Sequence, residues 1–302
     1  EVGKIWMNGK LVPFKDAKVH VLTHALHYST AIFEGLRCYN TPKGSAIFRL
    51  PEHVDRLFKS AKMYSMKMPY SKKQISDGII KTVKESKLKE CYIRPLAYYG
   101  YGEMGLTPTK NKVDVSIACW EWKMGESKAG KFSGAKCKIS SWIRIDSRAQ
   151  PMKAKAASNY ANAALARVEA LEDGYDEAIM LNSNGKIAEG SAENIFILKD
   201  GQIITPPLTS GILEGITRDS VIQIIEENGG YVVEADIDRE DLYTADEVFM
   251  VGTAAEVKSV AQIDRVRISD GKPGKVTKAL QKSFTDVTMG KDDRFLSWLT
   301  YI

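Results

Sequence analysis

The chain has 302 residues, of which 44% are hydrophobic and 27% charged, with a formal charge of +5. This is the composition of a globular protein with apolar material for two domains or one large one, and it excludes a disordered polyelectrolyte. Lysines such as Lys59, Lys62, Lys67, Lys72, Lys73, Lys84, Lys87 and Lys89 recur at helical spacing beside apolar residues, as on a solvated face rather than a nucleic-acid stripe.

Strands and helices are expected in an α+β order. Asn8-Gly9 between Ile5–Met7 and Lys10–Val12 marks a hairpin. Strands follow at Gly35–Tyr39 and Ala46–Leu50. Pro51 opens a helix with Val54, Leu57, Phe58, Ala61 and Tyr64 on one face. Ser71 and Gln74 form a capping-box pattern for a second helix to about Ser86. Two strands fit Cys91–Tyr101 and Val113–Cys119. The stretch 121–131 is polar, contains glycine and has no period, so it reads as a linker between a smaller N-terminal domain, 1–120, and a larger C-terminal domain, 132–302.

In the second half, Cys137–Trp142 reads as a strand. Ser158 is the expected cap of a helix carrying Tyr160, Ala164, Leu165, Val168 and Leu171, closed by Asp173-Gly174. Glu177–Leu181 and Asn194–Leu198 are strands with Asn184-Gly185 and Asp200-Gly201 as turns. A helix covers Thr217–Glu227. Strands fit Tyr231–Ala235, Glu247–Val251 and Val257–Ile263, and a last helix spans about Val276–Thr288.

Cys38, Cys91, Cys119 and Cys137 are far apart and form no Cys-x-x-Cys pair, which points to reduced, buried thiols in a cytoplasmic protein. No metal site is expected, and the cluster His20, His24 and His27 reads as packing or hydrogen bonding. No basic leader with an apolar run is present, and no stretch approaches the roughly 18 apolar residues of a membrane helix.

Chemistry concentrates at Lys155, which stands among small residues in Met152-Lys153-Ala154-Lys155-Ala156-Ala157-Ser158-Asn159-Tyr160. A lysine acts as a nucleophile only when burial or a nearby cation helps it lose its proton. Lys153 is a candidate second charge. Gly215-Ile216-Thr217 opens a helix and offers free N–H groups to an anion. Gly252-Thr253-Ala254-Ala255 ends a strand and offers a second such site. Glu189 lies in a small-residue turn between two strands, where a buried carboxylate needs a partner. These three features suit a phosphate-bearing aromatic cofactor.

The motifs carry a family resemblance. Thr23–Tyr39, Glu52–Leu57, Tyr92–Leu96, Lys155–Tyr160, Glu189–Phe196, Gly215–Asp219 and Gly252–Glu256 stand in the order seen in branched-chain amino acid aminotransferases, and the chain resembles that group over nearly its whole length. The resemblance implies a two-domain fold type IV enzyme with pyridoxal 5'-phosphate. It implies that Lys155, not Lys153, forms the Schiff base and that Glu189 pairs with the pyridine nitrogen. Tyr160 would bond the ring hydroxyl, and Arg56, Ile216, Thr217 and Thr253 would hold the phosphate. Tyr28, Phe33 and Trp122 would line the substrate pocket. Tyr92 with Thr253, Ala254 and Ala255 would take the α-carboxylate, and Arg94 a second carboxylate. The implied reaction is ping-pong transfer of the amino group from leucine, isoleucine or valine to 2-oxoglutarate, in a homodimer at least.

One departure is visible. The segment Trp122-Lys123-Met124-Gly125 is shorter than in the family and lacks its further aromatic, which implies a wider pocket or altered domain closure. D-amino acid aminotransferases and aminodeoxychorismate lyases share the lysine and glutamate framework, but His24–Tyr39 and Tyr92–Pro95 fit the branched-chain enzymes better. A cofactor-free binding protein would not be expected to retain both Lys155 and Glu189.

Overall fold

The computed structural model describes residues 3–122 and 134–302. The chain divides into two compact units. The first comprises residues 1–122, 154–158 and 287–302, and the second 123–153 and 159–286. The first unit is thus assembled from three stretches of chain rather than from the N-terminal stretch alone. Of the expected linker at 121–131, everything from residue 123 onward lies outside the described residues.

The first unit opens with the hairpin β1 (Lys4–Met7) and β2 (Lys10–Pro13), turned by Asn8 and Gly9, both at positive φ. A short helix α1 (His24–Tyr28) leads into β3 (Ala31–Phe33), β4 (Leu36–Thr41) and β5 (Gly44–Phe48). Helices α2 (Leu50–Met63) and α3 (Lys72–Ser86) precede the long strands β6 (Cys91–Tyr99) and β7 (Val113–Trp120). The Ser71–Gln74 capping box caps α3 as its sequence pattern requires.

Among the described residues these strands form one eight-stranded sheet. The C-terminal strand Leu299–Tyr301 closes one edge by pairing antiparallel with β5, and β3 pairs beside β6. Leu57 and Ala61 of α2 and Ile75, Ile79 and Val83 of α3 share a core with Ile93 of β6 and Ile117 of β7. Burial of such apolar area is the main favourable term in folding. Ala154 and Ala156 belong to this same core, and Ala156 bridges Ile32 of β3. The small residues around Lys155 therefore let a returning segment lie flat on the first unit.

The second unit begins at β8 (Ala135–Ile139), and the expected extension to Trp142 is an irregular segment instead. Next come α4 (Ala157–Glu172), β9 (Glu177–Leu181), β10 (Ile187–Gly190), β11 (Asn194–Lys199) and β12 (Gln202–Thr205). They are followed by α5 (Ile216–Glu227), β13 (Val232–Glu234), α6 (Arg239–Thr244), β14 (Glu247–Gly252), β15 (Glu256–Ile263), β16 (Val266–Arg267) and α7 (Lys275–Thr288). Among the described residues the sheet has nine strands in the order β10-β9-β8-β15-β14-β11-β12-β13, with β16 beside β15. It mixes parallel pairs, β8 with both β9 and β15 and β12 with β13, into an antiparallel framework. Together the antiparallel sheet of the first unit, the mixed sheet of the second and their helices make the fold α+β.

Three expectations change. Helix α4 starts at Ala157, so Ser158 sits inside its first turn, and the Ser158 hydroxyl instead shares a hydrogen bond with Tyr64 Oη of the first unit (2.7 Å). The buried face of α4 is Asn159, Ala163, Ala166 and Ala170, while Leu165, Val168 and Leu171 are exposed. Both faces of that helix are apolar in sequence, so periodicity alone cannot choose between them. Finally, Glu189 lies on β10 rather than in a turn.

Strands β11 and β14 are buried on both faces and read as continuous apolar runs, which is what a doubly covered sheet requires. Phe196 and Phe249 stand directly opposite each other across them, fully buried, with ring centroids 5.1 Å apart and planes within 5°. Phe249→Ala is expected to cost about 3–5 kcal/mol by urea unfolding, and Phe249→Leu clearly less. A loss under about 1 kcal/mol for the alanine variant would show that the stack is not a core contact.

Candidate active site

Lys155 is fixed by its backbone before its side chain is considered. Its N–H donates to Ser60 Oγ of α2 (3.0 Å), and its carbonyl accepts from Phe33 N at the end of β3 (2.9 Å). The amine then projects over the Phe33 ring, with Nζ 5.1 Å from the centroid. The Arg94 guanidinium also lies over that ring at 4.7 Å, so one aromatic serves two cations. Lys153 is more exposed and forms an ion pair with Glu214 (3.2 Å). Of the two lysines, Lys155 is the one built into a site.

Arg94 extends from β6 among the rings of Phe33, Tyr92 and Trp120, and its Nη2 donates to Tyr92 Oη (3.3 Å). Tyr92 also packs on Trp122, with centroids 4.9 Å apart. Buried Arg94 Nε and Trp122 Nε1 have no hydrogen-bond partner among the described residues, and such donors suit an anionic or carbonyl ligand. Gly35 makes this packing possible, because a Cβ there would stand 2.0 Å from Tyr92 Oη. Phe33, Tyr92, Arg94, Trp122 and Lys155 are thus gathered within one unit of one chain. Tyr28 is 42% exposed and its hydroxyl donates to the Met104 carbonyl (3.3 Å). The loop after Trp122, where the family pattern departs, lies outside the described residues from Lys123 on.

Arg56, on α2, is 8% exposed and grips Glu34 with two bonds, Nε to Oε1 (2.6 Å) and Nη2 to Oε2 (2.9 Å). His53 Nδ1 lies 2.7 Å from Glu34 Oε2. Burial pushes the Glu34 carboxyl up, but the Arg56 and His53 charges and hydrogen bonds outweigh it and hold it well below the usual range. Burial drives the His53 imidazole down, against the pull of Glu34, and Lys155 adds to the downward push. Sequence reading marked Arg56 but missed the carboxylate that orients it.

In the second unit, β10 carries a bulge between Ile187 and Glu189 that turns Glu189 inward. The carboxylate is 4% exposed and held from three directions. Arg144 Nη2 pairs with Oε1 (2.5 Å), Asn194 Nδ2 donates to Oε2 (2.9 Å), and Leu213 N donates to the same carboxylate (3.2 Å). Arg144 carried no sequence signal. It sits between two isoleucines, just after a run that reads as strand.

Asn194 also ties Glu189 to the start of α5, by donating to Leu213 O (3.1 Å) and lying against Gly215. A Cβ at Gly215 would stand 1.9 Å from Asn194 Oδ1, so only glycine fits as the N-cap. Helix α5 has no side-chain cap, and Ile216 and Thr217 in its first turn are buried. An uncapped helix start with its dipole favours an anion. Thr253, Ala254 and Ala255 form the three-residue turn between β14 and β15, and Tyr160 lies half-buried on α4. The second unit thus holds a buried, donor-held carboxylate and an uncapped helix start, and the first a backbone-fixed lysine beside an aromatic ring.

The expected histidine cluster is structural. His24 is fully buried between Thr30 Oγ1 (2.8 Å) and the Gly105 carbonyl (2.9 Å), and His20 packs on Tyr101. Among the described residues no group of three His, Cys, Asp or Glu could hold a metal ion, and no helix is long and apolar enough to cross a membrane.

These frameworks define an aminotransferase of class IV, and residues 31–263 match the family model for amino-transferase class IV. The branched-chain-amino-acid aminotransferase of Pseudomonas aeruginosa is 44% identical over 99% of this chain and 97% of its own. The T.th. branched-chain amino acid aminotransferase complexed with N-(5'-phosphopyridoxyl)-L-glutamate superposes with a TM-score of 0.95 at 45% identity, covering 100% of this chain and 99% of that one. The same T.th. enzyme complexed with 4-methylvaleric acid gives 0.95 at 44% identity, with 100% and 99% covered. The chain belongs to the class IV aminotransferases and, within them, to the branched-chain amino acid aminotransferases.

The buried Glu34–His53–Arg56 group has a pH signature. Glu34 is ionised in the fold below the pH at which an unfolded carboxyl near 4.5 takes its proton, so its contribution is lost as pH falls through the acid range. Burial makes folded His53 bind its proton less readily than the unfolded chain does near 6.5, so His53 also favours unfolding as pH drops through that range. Between about pH 7.5 and about pH 5, His53→Gln is expected to show a shallower loss of unfolding free energy than wild type, measured by urea unfolding. Equal slopes would show that His53 titrates normally in the fold.

Proposed function

We propose that this enzyme uses pyridoxal 5'-phosphate to transfer the amino group of leucine, isoleucine or valine to 2-oxoglutarate, releasing the branched 2-oxo acid and L-glutamate. Amino-group transfer follows from family membership. The donor and acceptor are supported by two ligands of the T.th. relative, 4-methylvaleric acid and a phosphopyridoxyl-glutamate adduct. The observation that carries the reading is the fixed Lys155, with its amine over Phe33 and Arg94 on the same ring.

When bound, pyridoxal phosphate supplies the electron sink for negative charge at the substrate α-carbon. Lys155 anchors it covalently, and Nζ takes up and releases the α-proton. Glu189 holds a proton on the ring nitrogen, and Tyr160 bonds the ring hydroxyl. Arg56, the Ile216 and Thr217 N–H groups and Thr253 hold the phosphate. The turn Thr253-Ala254-Ala255, with Tyr92, takes the α-carboxylate. Phe33, Trp122 and Tyr28 form apolar walls for a branched side chain. Arg94 binds the second carboxylate of glutamate or 2-oxoglutarate, and its aromatic surroundings let one pocket accept both side-chain types.

The chain works as a homodimer or a larger homo-oligomer. In support, the first unit has an open apolar groove of about 330 Å³ lined by residues including Val19, Ala25, Leu26 and Tyr98. Val21, Leu26 and Leu106 of the same unit are exposed. In the second unit Trp142, Ile143, Leu165, Val168 and Leu171 are exposed as well. Apolar surface on this scale marks an interface. A cytoplasmic location is supported by four buried cysteines, all of them free thiols.

L-Leucine added to the holoenzyme is expected to convert the cofactor's visible band to that of its aminated form, and 2-oxoglutarate to restore it. Lys155→Ala is expected to lower leucine turnover at least about 10³-fold. Turnover of D-alanine but not L-leucine would overturn the substrate reading. Wild-type rates in Lys155→Ala would overturn the role of the lysine.

A further inference from the structure

The contact between Arg144 and Glu189 reaches beyond the roles above. A carboxylate that must keep a proton on a ring nitrogen has to be the weaker base of the two, or the proton crosses to it. Burial works against this, because it raises a carboxyl's affinity for protons. Glu189 is almost fully buried, and a charged donor, Arg144, meets it at 2.5 Å. Asn194 Nδ2 and Leu213 N, which also donate to it, are neutral.

Arg144 is itself built in. The neighbouring side chains of Trp142 and Ile143 are exposed, yet Arg144 is 6% exposed. Three bonds pin its segment to the second unit: Arg144 N to Leu181 O (2.7 Å), Asn162 Nδ2 to Ile143 O (3.0 Å) and Ser183 Oγ to Asp146 Oδ2 (2.5 Å). Leu181 ends β9, the strand that pairs with β10 on which Glu189 stands. Arginine and glutamate are thus held in register by one pair of strands. Arg144 Nε, buried and without a partner among the described residues, shows that the guanidinium is committed to this place at some cost in unmade hydrogen bonds.

We propose that Arg144 is a positioning residue that sets the proton affinity of Glu189 and so keeps the proton on the cofactor's ring nitrogen. The proposal rests on the reading that Glu189 faces that nitrogen. Removing the arginine's charge makes Glu189 a stronger base and adds net negative charge beside the ring. Either effect raises the affinity for protons of every group conjugated with the ring.

The test uses three variants of the holoenzyme, Arg144→Gln, Arg144→Lys and Glu189→Gln. Each is read by the pH titration of the bound cofactor's visible band and by the dissociation constant for pyridoxal phosphate. Arg144→Gln is expected to raise the band's midpoint by about half a pH unit or more and to weaken cofactor binding about tenfold or more. Arg144→Lys keeps the charge without the planar fork and is expected to fall between it and wild type. A folded Arg144→Gln with wild-type midpoint and affinity would overturn the proposal. Should that variant not fold, Arg144→Met, which also removes the charge, carries the test, and an unmoved midpoint and affinity there would overturn it equally. If Glu189→Gln changes neither quantity, the reading of Glu189 itself fails. If Glu189→Gln changes both and Arg144→Gln changes neither, only the role given to Arg144 fails.

Discussion

A negative charge that water cannot reach must be surrounded by donors before the strands around it can close. Glu189 imposes that condition on the second unit. Its carboxylate brings together the segment after β8, through Arg144, the first residue of β11, through Asn194, and the loop before α5, through Leu213. The bulge in β10 and the glycine at the start of α5 are local consequences of the same arrangement. Replacing such a group by apolar residues can leave a fold intact, whereas removing one partner alone leaves a buried charge exposed to the full penalty. Its retention is therefore an argument for function rather than for stability.

The first unit repeats the device with different parts. Glu34 is gripped by Arg56 through two bonds and by His53 through a third, next to the segment that carries Lys155. In each unit an arginine and a glutamate hold each other in place. A long side chain loses rotamer freedom when it is held, and here that loss is met on folding rather than on ligand binding. Rigid first contacts of this kind are what a covalent cofactor needs if one amine is to reach the same atom in every cycle.

The readable features were those set by neighbours in sequence. The Asn8-Gly9 hairpin, the Ser71–Gln74 box and the start of α5 all depend on short-range chemistry, and the structure has them where the residues ask for them. What escaped depends on partners far along the chain. Arg144 meets Glu189 across a long stretch of sequence, from between two isoleucines that suggest a strand. Ser158 looks like a helix cap but is claimed by Tyr64, 94 residues earlier. The inner face of α4 went to Asn159 and to three alanines that pack with Ala178 and Met180 of β9, and a helix apolar on both sides does not announce which side is small. The inward turn of Glu189 follows from a single extra residue in a strand, which leaves no compositional trace.

The pairing of Leu299–Tyr301 with β5 has a consequence for biogenesis. A ribosome makes the second unit's whole sheet before it makes the strand that completes the edge of the first. Until then, Ala46, Ile47 and Phe48 present an open row of amides and carbonyls to any other nascent strand. The half of the molecule that is translated first is thus the half that finishes last.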